Sequence, residues 1–181
     1  MDNKGFEDIE DFYSAYNARF KEYRQIESLN PIPKILIMHW GGVVIETYVK
    51  FLLVRNKGAE KERAKFWYTL EKFNYIMSQG NLSKGEYPTY KCADNPQHNI
   101  GAGIKQIDIL NNLLTDDNKI KKAINSVTYP LGIESKNGFI DLRYVSPNQI
   151  TNLDELFDKW NESFKRLLKW LMANTRNIEV S

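Results

Sequence analysis

At 181 residues, with 42% apolar and 27% charged side chains, the chain has the proportions of one globular domain spanning residues 1–181. Its 25 Lys and Arg against 23 Asp and Glu leave a formal charge of +2, too little for a protein that grips nucleic acid by charge alone. The single cysteine, Cys92, excludes an intrachain disulfide and favours a reducing compartment.

The acidic start, Met1-Asp2-Asn3-Lys4-Gly5-Phe6-Glu7-Asp8, lacks the apolar core of a secretory signal. From Phe6 to Ile26, Ile9, Phe12, Tyr13, Tyr16, Phe20 and Tyr23 recur at steps of three and four, which predicts a first amphipathic helix. Asn30-Pro31-Ile32-Pro33 ends it, because proline lacks the amide donor and restricts its predecessor.

A second helix is expected from about Pro33 to Asn56, with Ile35, Met38, Gly42, Ile45, Val49 and Leu52 in one seam. Leu36, Trp40, Val43, Phe51 and Val54 make it apolar nearly all round. His39, Glu46 and Lys50 interrupt the same stretch and would be costly in a bilayer, so it reads as the central helix of a soluble, cytoplasmic protein with no membrane partner. An apolar surface this broad also suggests a two-fold homodimer.

A third helix is expected over about Ala59 to Ser78, then a long connection through Gln97. A fourth begins near His98 and carries Ile100, Ile104, Ile107, Leu110 or Asn111, and Leu114, with Gly101 and Gly103 admitting a close neighbour. Asp116-Asp117 opens a short fifth segment through Ile124. Lys136-Asn137-Gly138, followed by alternating Ile140, Leu142 and Tyr144, predicts a two-stranded hairpin. The last helix groups Leu153, Phe157, Trp160, Phe164, Leu167 and Leu171, capped by Thr151 or Asn152. The expected fold is therefore all-α: an up-and-down antiparallel bundle of four to six helices, with a short β-hairpin before the last.

The chemical residues are few. There is no nucleophile elbow, no phosphate loop, no Cys-x-x-Cys and no His-Glu-x-x-His, so neither a metal nor a cofactor is expected. His39, Glu46 and Lys50, seven and four residues apart, fall within a wedge of ~40° at ~100° per residue. That polar stripe fits either internal ion pairing or a ligand groove. His98, at the start of the fourth helix, has the chemistry of an acid or base near neutral pH. Arg143 suits a phosphate or carboxylate, or a pair with Asp141 or Glu134 across the hairpin.

The segment Trp40-Gly-Gly-Val-Val-Ile-Glu46-Thr-Tyr48-Val-Lys50-Phe-Leu-Leu53 resembles the second-helix pattern of HEPN domains. His98-Asn99-Ile100 resembles the opening of that family's third core helix, and Phe139-Ile-Asp-Leu-Arg143-Tyr144 its segment ending in Arg-Tyr. The resemblance covers about Pro31 to Met172 and implies a small, commonly dimeric helical bundle of the kind found in prokaryotic defence or toxin–antitoxin systems. Some members cleave RNA without metal; others bind nucleotides or assist a nucleotidyltransferase. Ribonuclease members carry Arg, four to six residues, then His. Here Lys34 and Lys91 stand where that arginine would precede His39 and His98, and no histidine follows Arg143. The resemblance thus implies a non-catalytic domain that binds RNA, a nucleotide or a partner (a nucleotidyltransferase or an antitoxin), with His39, Glu46, Lys50 and Arg143 at its groove. The alternative it implies is a divergent metal-independent endoribonuclease, with His98 as acid/base and Lys91 or Arg143 steadying the phosphate.

Overall fold

The structure, a computed structural model, describes residues 12–56, 96–135 and 137–175. The expected third helix lies outside these residues, as does the long connection up to residue 95, with Lys91 and Cys92. The described chain is all-α. In order it forms α1 (Phe12–Glu27), α2 (Lys34–Asn56), α3 (Ile100–Lys105), α4 (Asp108–Leu114), α5 (Asn118–Thr128), three 3-10 segments (Ile133–Ser135, Phe139–Tyr144 and Pro147–Gln149) and α6 (Leu153–Asn174).

α2 is the centre. Ile37, Met38, Val44, Ile45, Val49, Leu52 and Leu53 are almost wholly buried, and α1, α6, α3, α5 and the 139–144 segment all pack on it. It is long and apolar enough to cross a membrane, yet most of that stretch is buried inside the fold. α1 runs antiparallel to it, with Tyr16 on Tyr48 at 4.6 Å, Tyr13 on Phe51 at 5.0 Å and Arg19 over Trp40 at 5.4 Å. α6 runs in the same direction as α2: Lys34 pairs with Asp154, Gly41 meets Trp160, and Tyr48 hydrogen-bonds Thr175.

Two adjacent glycines explain how α2 accepts neighbours on two sides. A Cβ on Gly41 would stand 2.6 Å from the Trp160 ring, and one on Gly42 would overlap Phe139. Gly103 of α3 likewise sits where a Cβ would come within 2.6 Å of Val49, the close approach expected of that glycine pair.

The expected fourth helix is two helices, α3 and α4, broken at Gln106–Ile107, where Ile107 is extended and fully buried. Asp117 caps α5 as expected, its Oδ1 accepting from the amides of Lys119 and Ile120 at 3.0 Å. Asn152 stands at the N-cap position of α6, without a side-chain capping bond.

The β-hairpin is absent: the described residues contain no strand, and residues 139–144 are a 3-10 helix. An Asn-Gly hairpin turn needs positive φ at both central residues. Gly138 instead has φ −74°. Asp141 accepts from the Gly138 amide at 2.9 Å and fixes a helical start. Phe139 and Leu142 are both buried, and their spacing of three is the 3-10 period rather than the alternation of a strand.

Candidate functional site

The polar stripe on α2 divides. Glu46 is 8% exposed, and its carboxylate accepts from Lys50 Nζ at 2.6 Å and from His98 Nδ1 at 3.1 and 3.2 Å. The pairing with Lys50 follows from the i,i+4 spacing on one helix. His98 arrives from another part of the chain. The Asn99 amide donates to the Pro96 carbonyl at 2.9 Å, closing a turn in which Gln97 has φ 51°. Asn99 Oδ1 then caps α3 through the Ala102 amide, and the Gly103–Val49 approach sets α3 against α2. The turn is thereby held with His98 over Glu46. Because a carboxylate accepts, Nδ1 carries the proton and Nε2 is the remaining ring nitrogen.

His39, on the same helix, does not join this group. Its Nδ1 donates to the Phe139 carbonyl at 2.8 Å. It lines a different cleft, of about 680 Å³, together with Lys34, Trp40 and Arg143. The rest of that wall is mainly apolar, including Leu36, Leu142 and Val145. Lys34 is held by Asp154 at 2.6 Å. Arg143 is exposed, stacks 4.9 Å from the centre of the Tyr144 ring, and has no carboxylate partner among the described residues. Of the alternatives the sequence left open for Arg143, the pair with Asp141 is not formed, and that carboxylate accepts from the Gly138 amide instead. Tyr144 is 78% exposed, so the Arg–Tyr pair faces solvent at the edge of the cleft.

His98 lines a smaller cleft, of about 310 Å³, with Asn99, Thr128, Tyr129, Phe139 and Asp141 among its walls. The two clefts are separated by the 139–144 segment. Phe139 touches both centres: its carbonyl holds His39, and its ring lies edge-on to His98 at 6.4 Å. The five residues singled out from the sequence thus form two groups, Glu46–Lys50–His98 and His39–Arg143. Trp40, Tyr144 and Thr128 were not singled out as site residues. Tyr144 was legible as the neighbour of Arg143; Thr128, at the end of α5, carries no sequence signal.

Among the described residues no three His, Cys, Asp or Glu side chains are close enough to hold a metal ion. The chain matches no family profile, no curated protein and no solved structure.

Proposed function

We propose that the chain is a HEPN-like domain, an up-and-down antiparallel bundle, that binds a phosphate-bearing ligand, a nucleotide or RNA, in the cleft of Lys34, His39 and Arg143. In this reading it is non-catalytic and cytoplasmic, works as a homodimer, and serves a nucleotidyltransferase or antitoxin partner in a prokaryotic defence or toxin–antitoxin system. The observation that carries the reading is Arg143, a guanidinium without a carboxylate partner among the described residues, stacked on an exposed tyrosine at the edge of a largely apolar cleft. Guanidinium geometry suits phosphate oxygens, and an aromatic face suits a base. The salt bridge to Asp154 cancels the charge of Lys34, so Arg143 supplies the net positive charge of the cleft.

Fluorescence anisotropy with a labelled oligouridylate and a labelled adenosine diphosphate tests this. Arg143→Ala and Tyr144→Ala should each weaken binding by about tenfold or more, the usual worth of one stacking or charge-assisted contact. With a single uncompensated cation the affinity for the oligouridylate should fall only gently with salt, at a logarithmic slope of about −0.7. A parent protein that binds neither probe sinks the reading. Light scattering should give about twice the 21.2 kDa chain mass.

The ribonuclease alternative draws on one feature, the Glu46 carboxylate behind His98, an arrangement that orients an imidazole for proton transfer. Cleavage of RNA in chelator by the parent and not by His98→Ala would put this reading first.

A further inference from the structure

The formal charge of +2 hides an uneven distribution. Asp154, Glu155, Asp158 and Glu162 fall in the first half of α6, and the lysine among them, Lys159, pairs with Glu155. Lys165, Arg166 and Lys169 follow in the second half, all exposed and without a carboxylate partner among the described residues. α5 opens with three more exposed lysines that no described carboxylate pairs, Lys119, Lys121 and Lys122. Lys121 donates to the Thr115 carbonyl at 2.7 Å, a neutral acceptor that leaves its charge uncancelled.

The fold brings the two runs together. α5 packs on α6. Thr128, at the end of α5, stands against Gly138; the neighbouring Phe139 seats on Gly42, and Trp160 of α6 meets Gly41, so Thr128 and Trp160 share a level. Ile124 lies against Gly101, and Gly103 against Val49, further along α2. The start of α5 therefore points to the end of the bundle toward which α2 and α6 both run. At ~1.5 Å per residue, Lys122 and Lys119 stand about 9 and 14 Å above the level of Thr128, as Arg166 and Lys169 do above Trp160. The Asp117 amide donates to the Leu114 carbonyl at 3.3 Å and keeps α4 at the same end. The outer face of α4 shows Ile109 and Leu113, 49% and 46% exposed, and α6 adds Met172 at 42%. The carboxylates on α4, α5 and the turn between them are Asp108, Asp116 and Asp117, and the last is turned to the amides of α5.

We infer that this end of the bundle, formed by α4, the start of α5 and the end of α6, is a docking surface for an anionic lipid bilayer. Lysines near such a surface are drawn by its negative potential, and exposed aliphatic side chains enter the headgroup boundary. Five of the six cations are lysine, and the large exposed side chains on these helices are aliphatic or thioether. A face for nucleic acid would instead call for stacking rings and guanidinium forks. The charged residues of α2 bear on crossing a bilayer, not on resting against one. The surface is separate from the Arg143 cleft, which lies at the other end with the starts of α2 and α6.

The test is co-sedimentation of the full chain with vesicles of phosphatidylcholine containing about a third phosphatidylserine. The parent should bind these, ignore vesicles of phosphatidylcholine alone, and be released by added salt. Each cation is worth roughly fivefold in partitioning, so Lys122→Gln/Lys165→Gln/Lys169→Gln should weaken binding roughly a hundredfold. Ile109→Ser/Leu113→Ser should weaken it about tenfold or more, because two inserting side chains are lost. All five positions are exposed, so both variants should melt close to the parent, and Arg143→Ala should bind vesicles as the parent does. No binding to the anionic vesicles, binding unchanged in either multiple variant, or loss of binding in Arg143→Ala overturns the inference. So does tighter capture of an oligouridylate by the same lysines, which would assign the face to nucleic acid.

Discussion

Replacing Glu46 by Ala removes the acceptor that Lys50 and His98 share, and the exposures set the expected loss. The Glu46 side chain is 10% exposed and that of Lys50 17%, so the pair is close to buried, while His98 at 60% can rehydrate. Breaking a fully buried pair costs about 3–5 kcal/mol, because one charge is left uncompensated. The small residual exposure of Lys50 lets its ammonium reach water in part, which lowers the expectation to about 2–3 kcal/mol. Glu46→Leu combined with Lys50→Met removes both charges and keeps volume, and should lose less than Glu46→Ala alone. Urea titration of the parent, Glu46→Ala, Lys50→Met and the Glu46→Ala/Lys50→Met pair gives the coupling energy by a double-mutant cycle. A coupling above about 1 kcal/mol, little changed by salt, is expected for a desolvated pair. A coupling below about 0.5 kcal/mol, or one erased by salt, is the behaviour of a surface pair and would refute the reasoning.

Gly42→Ala should destabilise by about 1–3 kcal/mol despite the higher helix propensity of alanine, because the new methyl overlaps the buried Phe139 ring; a raised melting temperature contradicts it. Burial of Tyr16, and then the neighbouring Tyr48 and Tyr13 hydroxyls, pushes its phenol up from 10.0 to about 12. The folded state then holds this proton where the unfolded chain releases it, so the contribution is whole below pH 10 and is lost as pH rises toward 12, by about 3 kcal/mol. Tyr16→Phe should flatten that part of the stability profile, and identical slopes for parent and variant above pH 10 would count against the assignment.

The helices with a long apolar period were legible because burial on one face leaves a mark every three or four residues. α6 buries Phe157, Trp160, Phe164, Leu167 and Leu171, five of the six residues its stripe named, while Leu153 is half-buried at the helix start. α2 was legible as central for the opposite reason, being apolar all round. Residues 139–144 read two ways, because Ile140, Leu142 and Tyr144 alternate while Phe139 and Leu142 fit a three-residue step. Asp141, bonding back to Gly138, decided between them. The break at Ile107 was hidden too, since an extended buried isoleucine keeps the same apolar mark as a helical one. In the site, the Glu46–Lys50 pair follows from spacing on one helix. That His98 joins it while His39 turns to Phe139 is set by tertiary approach, which no single-sequence spacing encodes.

The segment between α5 and α6 owes its shape to a notch in another part of the chain. Phe139 fits against the bare backbone of Gly42, and from that one insertion the wall between the two clefts is hung. The clefts therefore have a common point of failure. A substitution that expels the Phe139 ring would release the His39 imidazole from its carbonyl and at the same stroke remove the edge-on support of His98. Damage at a residue that lines neither cleft, such as Gly42, would then disturb both at once. Only variants that leave this hinge-pin seated can report on either cleft by itself.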